Sequence, residues 1–157
     1  MTKTLGPVPA SELSLYGAFP AWSGLHAHCG MATTVSASCT DVYTAFNKTV
    51  NTAGFDPAGG IYAVHSEVTD SNMWVTRTTP TKHYVDDIEF TLTVNGAMCD
   101  ISSKSQSQSL SYYDYDTNYC NMYNVFKASG VTFTPVTTNN CAWIPEAKDL
   151  EATCNKY

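Results

Sequence analysis

An α+β fold follows from three observations: a helix start at residues 38–41, a run of alternating segments over 60–105, and a second helical stripe over 118–129. The expected architecture is an antiparallel sheet of four to five strands, arranged as a meander and packed with two helices. A chain of 157 residues suits one such core. It divides into an extended N-terminal arm (1–37), the α+β core domain (38–129) and a C-terminal tail packed on the core (130–157).

Residues 1–37 carry prolines and scattered glycines without periodicity, which reads as an arm laid over the domain, with Trp22 and Leu25 as anchors. "SCTD" then supplies Ser38 as N-cap, with Asp41 three positions on. Val42, Phe46, Thr49 and Val50 recur at helical spacing up to Gly54. Four strands follow: 60–68, 72–79, 83–94 and 97–105. "NG" at 95–96 between the last two is a strong hairpin signal, because a type I′ turn needs positive φ at both central positions. "QSQSLSYYDYD" reads as an ordered polar loop. In the second helix Tyr119, Met122, Tyr123 and Phe126 make one apolar stripe, and Asp114 or Asp116 is placed to cap it. The tail offers one short strand, "GVTFTPV". Ile88, Phe90, Leu92, Ile101, Trp74, Met122 and Phe126 are the expected core.

Composition excludes several classes of function. Net charge is −6, and the eight Lys and Arg are scattered, so no basic face for nucleic acid or anionic lipid is expected. No stretch approaches the roughly 18 apolar residues of a membrane span. The six cysteines, at 29, 39, 99, 120, 141 and 154, are even in number and include no C-x-x-C, which favours disulfides and a secreted or lumenal setting. Cys99 with Cys120, and Cys141 with Cys154, are the expected pairs. "NKT" makes Asn47 a glycosylation candidate. The opening residues lack the apolar stretch of a signal peptide, so secretion would require a signal removed before Met1.

The acids of "KHYVDDIEF" invite a chemical reading. Asp86 and Asp87 are strand neighbours and point to opposite faces, so they do not form a dyad. A glycosidase-type pair would need Asp114 or Asp116 as the second carboxylate. The structural alternative has one Asp accepting from backbone or pairing Arg77, and the other capping the Asp114–Asn118 turn. "HAHC" (His26, His28, Cys29) resembles metal ligands, but there is no second cluster, so no metal or cofactor is expected. His65 or His83 with Ser103 or Ser105 suggests a nucleophile and base, without the G-x-S-x-G elbow. Tyr112, Tyr113 and Tyr115 in the loop suit stacking on a ligand as well as packing.

Three of these segments resemble a known family, domain of unknown function 1499. Its pattern is an aromatic-Val-Asp-Asp-Val-x-Phe strand, a strand ending Arg-Ser-x-Ser-Arg, and Asp-x-Gly-x-Asn before a helix. "HYVDDIEF" (83–90) matches the first. "SSKSQ" (102–106) keeps both serines, Ser103 and Ser105, but neither arginine. "DYDTN" (114–118) matches the third, with Asp116 in the glycine position. The resemblance spans roughly residues 60–127. It implies that Asp86, Asp87, Ser103, Ser105, Asp114 and Asn118 belong together in the fold, and it carries over no catalytic residue.

Two functions follow as expectations. One is a non-enzymatic secreted or lumenal module that binds a protein or small-molecule partner through the Tyr-rich loop and sheet face. The alternative is a hydrolase using Asp86 or Asp87 with Asp114, Ser103 or His83. A lesser possibility is an accessory subunit of a large assembly, docked through arm and tail.

Overall fold

The computed structural model describes residues 18–111 and 113–157. Its elements run β1 (His28–Val35), α1 (Cys39–Val50), β2 (Ile61–Val68), β3 (Asn72–Thr78), β4 (Val85–Asn95), β5 (Met98–Ser107), α2 (Thr117–Ala128), β6 (Thr137–Asn139), a 3₁₀ turn (Ala147–Asp149) and α3 (Leu150–Cys154). The fold is α+β, and the sheet has six strands in the order β2-β3-β4-β5-β1-β6, with every pairing antiparallel. The expected meander is β2 to β5. The two additional strands come from the arm and the tail.

β1 corrects the reading of residues 1–37 as wholly irregular. Cys29, Met31, Thr33 and Val35 are buried, and the strand lies between β5 and β6. Its small intervening residues have a packing reason: a Cβ on Gly30 would lie 2.4 Å from Asn139 Oδ1 on β6. Residues 18–27 do cross the open sheet face. Phe19 meets Trp74 edge-on at 5.6 Å, Trp22 stacks on His28 at 4.3 Å, and Gln106 bonds the backbone of Ala21 and Ser23. The Leu25 side chain is exposed, and it is the Leu25 carbonyl, accepting from Ser111 N–H at 3.0 Å, that holds the segment there.

α1 forms where its cap and stripe place it. Ser38 Oγ accepts from Asp41 N at 3.1 Å, and Val42, Phe46, Thr49 and Val50 are buried. Its Phe46 meets Phe90 of β4 and Phe126 of α2, and those two rings also touch each other. Each ring is fully buried, a burial of about 1.5–3 kcal/mol apiece. The β4–β5 hairpin differs by one residue from expectation. Asn95 pairs with Met98, so the loop is Gly96-Ala97, with positive φ (58°) at Gly96 and not at Ala97. A glycine at the first loop position is the Gly-X form of hairpin.

Trp74 is a second correction. It alternates with Met73 and Val75, which face the helices, and so falls on the other face, half-buried. The disulfides are Cys29–Cys141, Cys39–Cys99 and Cys120–Cys154, not the two expected pairs. Cys99 stands at the start of β5, whereas the chain leaves for α2 from the far end of that strand, so Cys99 and Cys120 lie at opposite ends of the sheet. Cys141 follows the edge strand beside β1, while Cys154 packs under α2, where Asn124 Nδ2 bonds its carbonyl at 2.9 Å. The tail strand expected at 130–136 is reduced to one bridge, Val35 with Phe133, with β6 just after it. Among the described residues no helix is long and apolar enough to cross a membrane.

Candidate functional site

The helix-covered face of the sheet grades from apolar to polar along the strands. One row across it reads Met73, Phe90, Ser103, Met31; the next reads Val75, Ile88, Ser105, Cys29. The last row is Tyr62, Arg77, Asp86, Ser107. A cleft of about 610 Å³ opens above this polar row, within the 300–1,000 Å³ usual for small-ligand sites. Arg77, Asp86 and Ser107 form its floor. Its walls are the β3–β4 loop, the β5–α2 loop with the start of α2, and Lys156–Tyr157 at the C-terminus.

The floor is held from below by a buried hydrogen-bond chain. Asn121 Nδ2 donates to Asp86 Oδ2 at 2.8 Å and contacts Ser105 Oγ at 3.1 Å. Ser105 Oγ donates to Asn118 Oδ1 at 2.7 Å. Asn118 in turn donates through its amide side chain and its backbone N–H to Asp114 Oδ2, at 2.8 and 3.0 Å. Tyr62 hydroxyl donates to the Asn121 carbonyl at 2.8 Å, and burial pushes its phenol far up. The chain runs from one cleft carboxyl, Asp86, to the other, Asp114. Burial raises the Asp86 carboxyl above its ordinary value, and the Asp114 charge adds to the rise; Asn121, Arg77 and Ser107 oppose it.

Arg77 forms its ion pair with neither acid of the strand, the pairing that the structural alternative offered for one of them. Its Nε donates to Asp56 Oδ2 at 2.7 Å, with both side chains sealed from solvent. Asp56 also accepts from the N–H groups of Ala58 and Gly60. Asp87 lies on the open face, where Trp74 Nε1 and Gln108 Nε2 both donate to its Oδ1. The two acids of the strand therefore do face apart, and neither caps the Asp114–Asn118 turn directly. Asp116 occupies the N-cap position of α2 without a side-chain bond, and the capping carboxylate is that of Asp114.

The remaining candidates separate. Ser103 is buried under β1, with its hydroxyl directed to the Met31 carbonyl. His83 lies exposed in the loop before β4, not on the strand, at φ 56°. His65 packs on Trp74. Among the described residues no Ser–His pair meets in the cleft. Cys29 is taken by its disulfide, and His26 and His28 bond backbone carbonyls through Nδ1. Asn47 sits mid-helix with its amide on Glu67. Tyr113 and Tyr115 wall the cleft, 65% and 59% exposed, while Tyr112 lies outside the described residues. Tyr113 and Tyr115 stack near-parallel, Tyr115 also with Tyr157, and both approach Trp143.

Sequence reasoning missed Asp56, Asn121 and Tyr157. "FDPAGG" did carry a signal for Asp56, since an Asp before Pro in a Gly-rich turn commonly binds backbone N–H groups. Asn121 shares a face with Asn118 and Asn124, a polar stripe beside the apolar one.

No family model matches the chain, and no curated protein matches it. Solved structures are similar in part. CalU16 from Micromonospora echinospora aligns over 66% of this chain and 73% of its own, with 9% identity and a TM-score of 0.47. A protein from Chromobacterium violaceum aligns over 68% and 92%, with 14% identity and a TM-score of 0.45. A conserved protein from Geobacillus kaustophilus aligns over 69% and 99%, with 9% identity and a TM-score of 0.42.

Proposed function

We propose that this protein is a secreted or lumenal, non-enzymatic module that binds a small polar ligand in the cleft above Asp86. One observation carries the reading: the buried carboxyl of β4 and, from the β5–α2 loop, a second carboxylate with two exposed tyrosines line one hollow of about 610 Å³. Three disulfides fit an oxidising compartment. The likeness to domain of unknown function 1499 is part of the proposal, because four of its six implied residues, Asp86, Ser105, Asp114 and Asn118, share one hydrogen-bond chain.

The test is a thermal-shift screen of small polar metabolites. A cleft ligand raises Tm through binding to the folded state alone. The compound should raise the Tm of the wild-type protein and leave that of the Tyr113→Ala/Tyr115→Ala variant unmoved, while the two unliganded Tm values agree. A shift retained in the variant counts against the cleft.

A hydrolase reading keeps one supporting observation: Asp86 and Asp114 both line the cleft, and burial favours the protonated form of Asp86. It now runs through those two carboxyls, without Ser103 or His83. Turnover of any ligand found in the screen, lost in Asp114→Asn, would favour it.

A further inference from the structure

We infer that the ligand of the cleft is a neutral saccharide, seated with its ring against Tyr113 and Tyr115 and its hydroxyls over Asp86 and Asp114. This inference rests on the cleft being a ligand site, and it names the chemical class.

Charge selects first. The lining holds two acids, Asp86 and Asp114, and two lysines, Lys82 and Lys156, with Arg77 already bound to Asp56. A cationic ligand would meet the lysines, and an anionic one would meet Asp114; either would be desolvated against charge of its own sign. A neutral ligand carrying both donors and acceptors can use both signs. The two lysines also lie over ring faces, Lys82 over Tyr84 and Lys156 over Tyr157, which holds them at the rim.

Hydrogen bonding selects next. Asp114 Oδ2 is satisfied by Asn118, but its Oδ1 is buried and accepts from no donor among the described residues. An unpaired buried acceptor is unfavourable, and a small turn of the Asp114 carboxyl toward a ligand hydroxyl would relieve it. The Asp86 carboxyl, held toward its protonated form by burial, is equally suited to donating to a sugar oxygen.

Shape selects last. A pyranose has C–H faces and a rim of hydroxyls, so it needs an aromatic surface beside polar groups. Tyr113 and Tyr115 lie within 28° of parallel, and Tyr115 and Tyr157 within 15°. Tyr115 and Asp116 hold this arrangement in the left-handed region, at φ 49° and 71°. For a bulky residue such as Tyr that backbone is strained, and strain of this kind concentrates at ligand sites.

The experiment is protein-observed NMR of the full chain with three classes of probe: neutral saccharides (N-acetylglucosamine, chitobiose, cellobiose, maltose, lactose), tetramethylammonium, and acetate with inorganic phosphate. At least one saccharide should perturb amides around Asp86, Ser107 and Thr117, where the ions do not. Tyr115→Ala should weaken it about tenfold, the order expected for one aromatic contact, and Tyr115→Phe should keep it within a few-fold. If an ion perturbs those amides and no saccharide does, the saccharide class is overturned and the cleft reading stands. If no probe perturbs them, both fall.

Discussion

Arg77 of β3 and Asp56 of the loop before β2 form an ion pair at 2.7 Å, with side-chain exposures of 2% and 0%. This pair fixes the corner of the cleft floor, because Asp56 also ties down Ala58 and Gly60. Removing one partner strands a buried charge, which costs about 3–5 kcal/mol. Asp56→Ala should lose that much stability in urea unfolding. Asp56→Leu combined with Arg77→Met should recover the ion-pair part of it, since an apolar pair carries no desolvation penalty, but not the part owed to the N–H groups of Ala58 and Gly60, which lose their acceptor. A loss under about 1 kcal/mol for Asp56→Ala would place the pair among those that contribute little.

Gly60 tests the same corner sterically. A Cβ there would lie 2.4 Å from Arg77 Nε and 2.5 Å from Asp56 Oδ2. The obstructing atoms belong to the buried pair, so making room for the Cβ would disturb the ion pair itself. Gly60→Ala should therefore destabilise by an amount approaching Asp56→Ala, and the two losses should not add when combined. Gly24→Ala, with nothing near its Cβ, is the matched control and should stay within about 0.5 kcal/mol of wild type.

Local signals made much of this fold readable. Ser38 and the Val42–Phe46 spacing give α1, and strand parity alone sends Asp86 and Asp87 to opposite faces. What was not readable depends on long-range register. β1 is a strand because β5 and β6 flank it, and the alternation of Cys29, Met31, Thr33 and Val35 is masked by Gly30 and Ala32. Trp74 was misplaced because an aromatic in an alternating run suggests core, whereas Met73 and Val75 hold that face. In the site, Asp86, Asp114 and the tyrosines were legible as residue types. Their convergence, and the parts of Asp56 and Asn121, depend on which rows the helix covers.

The cysteine framework predicts three crosslinked peptides in a non-reducing digest: 29 with 141, 39 with 99, and 120 with 154. A Cys99–Cys120 crosslink would contradict this register. The third bond anchors α3, just before Lys156 and Tyr157 of the cleft wall. Cys120→Ala/Cys154→Ala should lower stability by about 2–5 kcal/mol. It should also weaken any cleft ligand while leaving the amide shifts of β2–β4 unchanged.

The pH dependence of stability isolates Asp86. Burial raises its folded-state pKa above the ordinary 3.8, with the Asp114 charge acting in the same direction. A raised carboxyl favours the folded state while it stays protonated. Its contribution is fully present below 3.8 and is lost as pH rises through the folded value, because the unfolded chain releases this proton earlier. Asp86→Asn keeps the shape and removes the titration. The unfolding free energy of wild type minus variant should therefore fall as pH rises from just below 4, then level off once pH has passed the folded value. The direction separates Asp86 from an ordinary ion-paired acid, for which the same difference would rise with pH. Urea unfolding of both proteins across that range, with the carboxyl carbon followed by NMR, checks the sign and assigns the titration. A difference that climbs with pH would mean that the Asn121 hydrogen bond and the Arg77 charge together outweigh burial at this site, and Asp86 would then enter the cleft as a fixed anion.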